Sequence, residues 1–503
     1  MKNSRRDFLK KSGGCALGMA ALATQMHHLG TISALAQRTL ETDGGTSPYK
    51  ALVCLYWAGG CDGNNLIIPN HNDATVSNYT AYSNARATQG LAIPQANLLP
   101  IAAPRMSGLT YGLHPNFGTV AGGINGGIHP LWETGQLAAI VNVGTLVRPM
   151  LRSEFLTNSV QRPYQLFSHS DQVSQSQSAN SATPTFTGWG GRVSDRMAAP
   201  GPLIPMITSI NGAQLFTNGQ VTLPLAIADS NTPLAQVLRP LGYEVSNQTN
   251  NSRLAAFNAI RTNDIAASSS NYIKAAAGVT QAAMDANDLF QVSQDTTAPF
   301  PNTGIGRQLR QVARLIKKRN DLGVTRQIFY VQIGGFDTHS NQVVGQGNLI
   351  TQVSQAMRSF WDELGAQSTA QENMQEAVTT FTLSDFNRTL NPAGTGVGVG
   401  SDHAWGNHML VMGGSVNGGD FYGSRRKDGT GSYFPTLAQG GPDDTDGGSA
   451  PRGRWIPTTS TDQYVARLAK WFGLPQDAAT LETVFPNLDN FPTIHEALNF
   501  MQP

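Results

Sequence analysis

The apolar run at residues 51–57 breaks off into Gly59-Gly60-Cys61-Asp62-Gly63, and this pattern of buried strand followed by a glycine-lined acidic loop recurs along the chain. Residues 328–333 run straight into Gly334-Gly335-Phe336-Asp337-Thr338-His339, and residues 378–383 into Ser384-Asp385. A further apolar run, 137–143, is closed by Gly144, and a short one at 409–412 follows Asp402, His403 and His408. Uninterrupted apolar runs of this length belong to strands covered on both faces, which is the condition of a parallel sheet. Between them lie helical stripes. Ile305, Leu309, Val312 and Ile316 recur at spacings of four, three and four and stop before Gly323, and Val353, Met357, Phe360, Trp361 and Leu364 form a second stripe. Alternating strands and helices predict a doubly wound α/β fold: a mostly parallel central sheet with helices on both faces. Ligands in such sheets bind beyond the carboxyl ends of the strands, where these acidic loops lie.

With 503 residues the chain can bury a large core, and the pattern places one domain over about 47–500. The Ser/Asn/Gln/Thr-rich stretch at about 200–300 reads as an inserted cap region, and residues 170–185 as a mobile polar loop. Basic and acidic side chains balance at 34 to 33, and no polybasic run occurs beyond the N-terminus, so nothing supports binding to nucleic acid. No apolar stretch is long enough to predict a membrane span in the mature protein.

Residues 1–36 read as an address. Ser4-Arg5-Arg6-Asp7-Phe8-Leu9-Lys10 precedes a Gly/Ala-rich apolar run and the small-residue end Ala34-Leu35-Ala36, the order of a twin-arginine secretory signal. This predicts the twin-arginine export machinery as a partner and a periplasmic or secreted location. Cys15 leaves with the signal, and an oxidising compartment permits a bridge between Cys54 and Cys61.

Asp62, Asp337, Asp385 and Asp402, with His339, His403 and His408, all fall in loops next to predicted strands. An acid after a strand is commonly a turn residue or a helix cap, and a lone histidine is commonly a hydrogen-bonded structural group. As a set, acids gathered at one sheet edge repel one another unless a cation sits among them. Oxygen and imidazole donors suit a divalent metal, Zn or Mg/Mn. Ser168, with Ser170 behind it, is the candidate nucleophile, and capping the next helix explains it equally well. Arg388 is a candidate oxyanion ligand and as readily an ion-pair partner. His114 and His169 read as lining or hydrogen-bonded residues. No Gly-x-Ser-x-Gly elbow and no phosphate loop occurs.

The segments Gly59-Gly60-Cys61-Asp62-Gly63, Ser168-His169-Ser170-Asp171-Gln172, Gly188-Trp189-Gly190-Gly191-Arg192, Gly334-Gly335-Phe336-Asp337-Thr338-His339 and Ser401-Asp402-His403-Ala404-Trp405-Gly406 resemble one known family. It is an uncharacterised, twin-arginine-exported domain-of-unknown-function family, numbered fifteen-oh-one, of the alkaline phosphatase-like superfamily. The resemblance spans roughly residues 50 to 490. It implies an alkaline phosphatase-like fold and a two-metal site that hydrolyses phosphate or sulfate esters of small molecules or glycans. Asp62 would serve one metal, and Asp337 with His339 the other. The last pair is Asp402-His403 by motif or Asp385 by strand order, with His408 as the last imidazole. Two departures stand out: His339 is two residues after Asp337 where the superfamily usually has four, and Phe386 follows Asp385 where a histidine is usual. They favour the alternative of an exported, non-catalytic binding or cell-surface protein that retains the fold.

Overall fold

The computed structural model describes residues 48–119, 123–197, 204–237, 252, 255–256, 259, 289–290, 295–396, 398–491 and 498–502. The leader read at residues 1–36, and most of the cap region, lie outside these.

Strand β1 (Lys50–Trp57) is the middle of the molecule, buried along nearly its whole length. Then come the short strands β2 (Ile67–Pro69), β3 (Leu99–Ala103) and β4 (Leu109–Leu113), which pair antiparallel as a separate sheet. The others are β5 (Leu137–Gly144), β6 (Ile207–Ser209), β7 (Leu225–Ala226), β8 (Arg326–Ile333), β9 (Val378–Ser384), β10 (Asn407–Met412), β11 (Phe421–Tyr422) and β12 (Thr459–Ser460). They join β1 in a sheet of order β11-β5-β10-β9-β1-β8-β6-β7, with β12 also on β5. Every pairing in it is parallel except those of β10, which runs antiparallel to both β5 and β9. The central α/β sheet is thus mostly parallel, as expected. Within the stretch read as a cap, β6 and β7 extend the edge of the sheet beyond β8.

Alternate residues of β1 serve two cores. Ala51, Val53, Leu55 and Trp57 pack with Ile305, Leu309, Val312, Val353, Met357 and Phe360. Leu52, Cys54 and Tyr56 pack with Trp189, Val193, Tyr464, Leu468 and Phe472. Among the described residues, the helices of nine or more residues are α1 (His169–Ser178), α2 (Trp189–Met197), α3 (Gly304–Lys317), α4 (Gln342–Gln367) and α5 (Thr461–Phe472). The apolar stripes of α3 and α4 cover one face and α2 and α5 the other, so Phe360→Ala would cost about 3–5 kcal/mol. Helix α5 has both ends sealed: Ser460 and Gln463 form a capping box, and Gly473, at φ 111°, closes the C-terminus.

One expectation is corrected. The stretch expected as a mobile loop begins with a helix, α1, whose Gln172, Gln175, Ser176, Gln177 and Ser178 are buried. Hydrogen bonds permit this: Gln177 donates to the Tyr330 hydroxyl at 3.1 Å, and Ser176 pairs with Tyr56 at 3.0 Å. Cys54 and Cys61 are both buried and unbridged. Cys54 points from mid-strand into the α5 side of the core, and Cys61 lies in the loop beyond the strand, with its thiol toward Gln346.

Candidate metal centre

β1, β8 and β9 are parallel, so their carboxyl ends share one edge, and β10, being antiparallel, begins there. The loops 58–62, 334–341, 385–388 and 401–406 therefore crowd together. Glycine makes this possible at two points. Gly59 (φ 112°) and Gly60 (φ 77°) have left-handed backbones, and a Cβ would come within 2.5 Å of the Asp337 nitrogen at the first and of the Phe386 ring at the second.

Arg388 ties the loops together. Fully buried, it donates from Nε to the Gly60 carbonyl (3.0 Å), and from its terminal nitrogens to the carbonyls of Ser401 (3.0 Å), Gly59 (2.7 Å) and Phe336 (3.2 Å) and to Asp337 Oδ1. Each guanidinium nitrogen is committed to a protein acceptor, so Arg388 is placed as a loop clamp, not as a free fork for an oxyanion.

Above this clamp one ligand atom each from His169, Asp337 and His403 lies within 4.8 Å of the others. His169 Nε2 is 3.1 Å from His403 Nε2 and 3.4 Å from Asp337 Oδ1, and His403 Nε2 is 3.5 Å from the same oxygen. His339 flanks the group, its Nε2 3.0 Å from Asp337 Oδ1 and 3.2 Å from His403 Nε2. Asp337 and His339 are about half exposed, so the cluster opens to solvent, while the buried Phe386 floors it, its ring centroid 4.6 Å from that of His169 and 4.7 Å from that of His403.

Each imidazole has its other nitrogen anchored. His169 Nδ1–H donates to Asp385 Oδ2 (2.8 Å), His403 Nδ1–H to the Phe167 carbonyl (2.8 Å), and His339 Nδ1–H to Asp402 Oδ1 (3.2 Å). Since a carbonyl or carboxylate can only accept, Nδ1 of each ring carries a proton, and a ring with no second proton turns a lone pair at Nε2 toward the others. Converging Nε2 and Oδ1 lone pairs repel; a cation relieves them. The donor chemistry fits a divalent ion, and edges of 3.1–3.5 Å match one face of a tetrahedron built on bonds of about 2.0–2.1 Å. Outer acceptors on the far ring nitrogen are what ligating histidines usually have.

The charges follow the contacts. Burial pushes the Asp337 carboxyl up, but Arg388 against it, with His169 and His339 nearby, brings it down to about 2. The Asp385 hydrogen bond raises His169 against the effect of burial. Burial lowers His403, and Arg452 holds Asp402 down despite burial. Strain collects here too: Phe167, whose carbonyl receives His403, sits at φ 69° without being glycine.

Of the residues expected from sequence, Asp337, His403 and His339 line the cluster, and Asp385 and Asp402 stand behind it as hydrogen-bond acceptors. Asp62 is not brought there as a ligand: it is fully buried and paired with both terminal nitrogens of Arg86, and Gln342 also donates to it. His408 is buried elsewhere, its ring stacked on Phe434 and its Nδ1 accepting from the Asn142 N–H; burial lowers it to about 3. Ser168 is adjacent to His169 in the chain, with its hydroxyl donating to Asp171 Oδ2 at 2.6 Å. Sequence reasoning underrated His169. Its segment stood out, but only the return of residues 145–168 over the sheet edge shows that the imidazole, next to the serine, reaches the centre.

Fold and site together define an α/β sheet with an imidazole–carboxylate cluster at its carboxyl edge. The family described as "Protein of unknown function (DUF1501)" matches residues 49–433, and the chain belongs to it. No curated protein matches the chain. Among the described residues, no helix is long and apolar enough to cross a membrane.

Proposed function

We propose that this chain is an exported, divalent-metal-dependent hydrolase of phosphate or sulfate esters, with an alkaline phosphatase-like fold and one metal position. His169, Asp337 and His403 would hold the ion, and His339, its Nε2 3.0 Å from Asp337 Oδ1 and 3.2 Å from His403 Nε2, would be a further donor to it. The observation that carries this reading is the convergence of Nε2 lone pairs and Asp337 Oδ1, each ring fixed from behind. A bound ion of this class supplies Lewis acidity toward an ester oxygen. Ser168 would be the attacking hydroxyl: its Oγ–H is already directed at Asp171, the geometry of a nucleophile with its base. It also occupies the N-cap of α1, where the helix dipole favours developing negative charge. Phe386 and the Arg388 clamp would keep the loops rigid beneath the substrate. The twin-arginine leader belongs to the same reading and would deliver the folded chain to the periplasm or beyond.

Elemental analysis of the purified full chain, followed by a panel of aryl phosphates and sulfates with Zn²⁺, Mn²⁺ or Mg²⁺, tests it. About one equivalent of metal and ester turnover that both vanish in Asp337→Ala are expected. Protein that takes up no ion, or turnover indifferent to chelation, defeats the proposal.

A further inference from the structure

The family match ends at residue 433, yet two arginines beyond it reach the cluster. Arg452 donates to Asp402 Oδ2, whose other oxygen receives His339 Nδ1–H at 3.2 Å. Arg454 donates from Nε to the His403 carbonyl at 2.9 Å and lies over the Phe167 ring, 5.2 Å from its centroid; the Phe167 carbonyl in turn receives His403 Nδ1–H. Both arginines stand on a braced loop. The buried Asp444 carboxylate accepts from the backbone N–H groups of Gly440 (2.9 Å), Asp446 (3.0 Å), Gly453 (3.1 Å) and Arg454 (3.0 Å). Asp446 accepts from the Arg452 N–H (2.7 Å) and from Arg454 Nη1 (2.8 Å), and Trp455 Nε1–H donates to Asn64 beside β1 (2.8 Å). The segments 389–391 and 452–453 are stitched by two backbone bonds, Leu390 N–H to the Gly453 carbonyl and Asn391 N–H to the Arg452 carbonyl. Gly453 is required there: at φ 75° its Cβ would lie 2.7 Å from that of Leu390.

We propose that residues 440–456 complete the centre, with Arg452 and Arg454 as positioning residues that hold His339 and His403 in metal-binding orientation. The inference rests on the metal reading above. Arg452 fixes the carboxylate that fixes His339, and Arg454 fixes the peptide that carries His403. Without them, exposed rings would lose the orientation that makes their Nε2 atoms converge, and outer contacts of this kind are worth roughly ten- to a hundredfold in metal affinity.

The test uses the full chain as wild type, Arg452→Met, Arg452→Lys and Asp402→Asn. Zn²⁺ affinity is read by chelator competition, the coordination geometry by the visible spectrum of the Co²⁺ form, and the His339 tautomer in metal-free protein by imidazole ¹⁵N spectra. Arg452→Met and Asp402→Asn should weaken Zn²⁺ binding roughly ten- to a hundredfold, alter the Co²⁺ bands and release His339 into a tautomer mixture. Arg452→Lys should recover part of each, while thermal unfolding of the metal-free protein stays near wild type. Wild-type protein that binds neither ion overturns the metal reading and this inference with it. Tight wild-type binding with unchanged affinity and spectra in Arg452→Met, or losses that merely follow a lowered unfolding midpoint, overturns this inference alone.

Discussion

His169 and His403 face each other Nε2 to Nε2 at 3.1 Å, with their Nδ1 protons committed to different acceptors, Asp385 and the Phe167 carbonyl. With no proton on either Nε2, the two rings have no hydrogen bond to make between them. Such a contact is maintained because the loops hold it, and a cation near Asp337 turns it from repulsive to favourable.

Asp385 is the sharpest probe of this arrangement. The Gly59 N–H lies 3.2 Å from both of its oxygens. In Asp385→Asn the amide oxygen would keep that bond, which turns the NH₂ toward His169 Nδ1. A donor there drives the His169 proton to Nε2 and removes the lone pair. Zn²⁺ affinity should fall by at least about tenfold in a competition assay; affinity within twofold of wild type would count against the orientation described.

Asp62 and Arg86 make the opposite prediction. Both side chains are fully buried and joined at two points, and Asp62 also receives Gln342 at 2.6 Å. Asp62→Ala strands a buried guanidinium and should destabilise the fold by about 3–5 kcal/mol, whereas Asp62→Leu with Arg86→Met should recover most of that. Metal content should stay at the wild-type level in whichever variant folds. Loss of metal without loss of stability would restore Asp62 to the ligand set.

Burial sets a pH dependence with two opposing parts. It lowers His114 to about 4 and His408 to about 3, below the value near 6.5 expected of the unfolded chain. Both are neutral when folded, so their contribution is whole above pH ~6.5 and is lost as the pH falls toward 4 and then 3, at about 1.4 kcal/mol per unit for each. Burial also raises the Asp462 carboxyl to about 7. That contribution is whole below pH ~4 and is lost as the pH rises to about 7. In chelator, the unfolding midpoint should therefore drop from pH 6.5 to 4.5, the two histidines outweighing the one acid. Asp462→Asn should raise the midpoint at pH 8 and steepen the acid limb; an unchanged midpoint at pH 8 would be the contrary result.

Sequence carried the sheet's centre because burial on both faces writes itself into strands such as 51–57 and 328–333 as unbroken apolar runs. It did not carry the direction of β10, because four apolar residues look alike whichever way the strand runs. The start of α4 at Gln342 was hidden too: Gly345 and Gly347 interrupt its stripe, and its first turns pack through Gln342 and Gln346 instead of apolar side chains. At the site, Asp337 and His403 were legible from their places next to strands. The fate of Asp62 was not, since it hangs on Arg86 at the end of the helix Tyr79–Arg86, and pairing between distant residues leaves no local pattern.

On the proposed reading, Ser168 is where metal binding and catalysis can be separated. Its hydroxyl makes no contact with His169, Asp337 or His403, but donates to Asp171 and lies 3.2 Å from Ser170 Oγ. Ser168→Ala should keep metal content and the Co²⁺ spectrum while abolishing ester turnover, at a stability cost below about 1 kcal/mol because no side-chain cap bond is lost. Asp171→Asn should slow turnover by roughly 10²–10⁴-fold, the usual range for a general base, with KM little changed. Ester hydrolysis at the wild-type rate in Ser168→Ala would leave the metal centre standing and remove the serine from the mechanism.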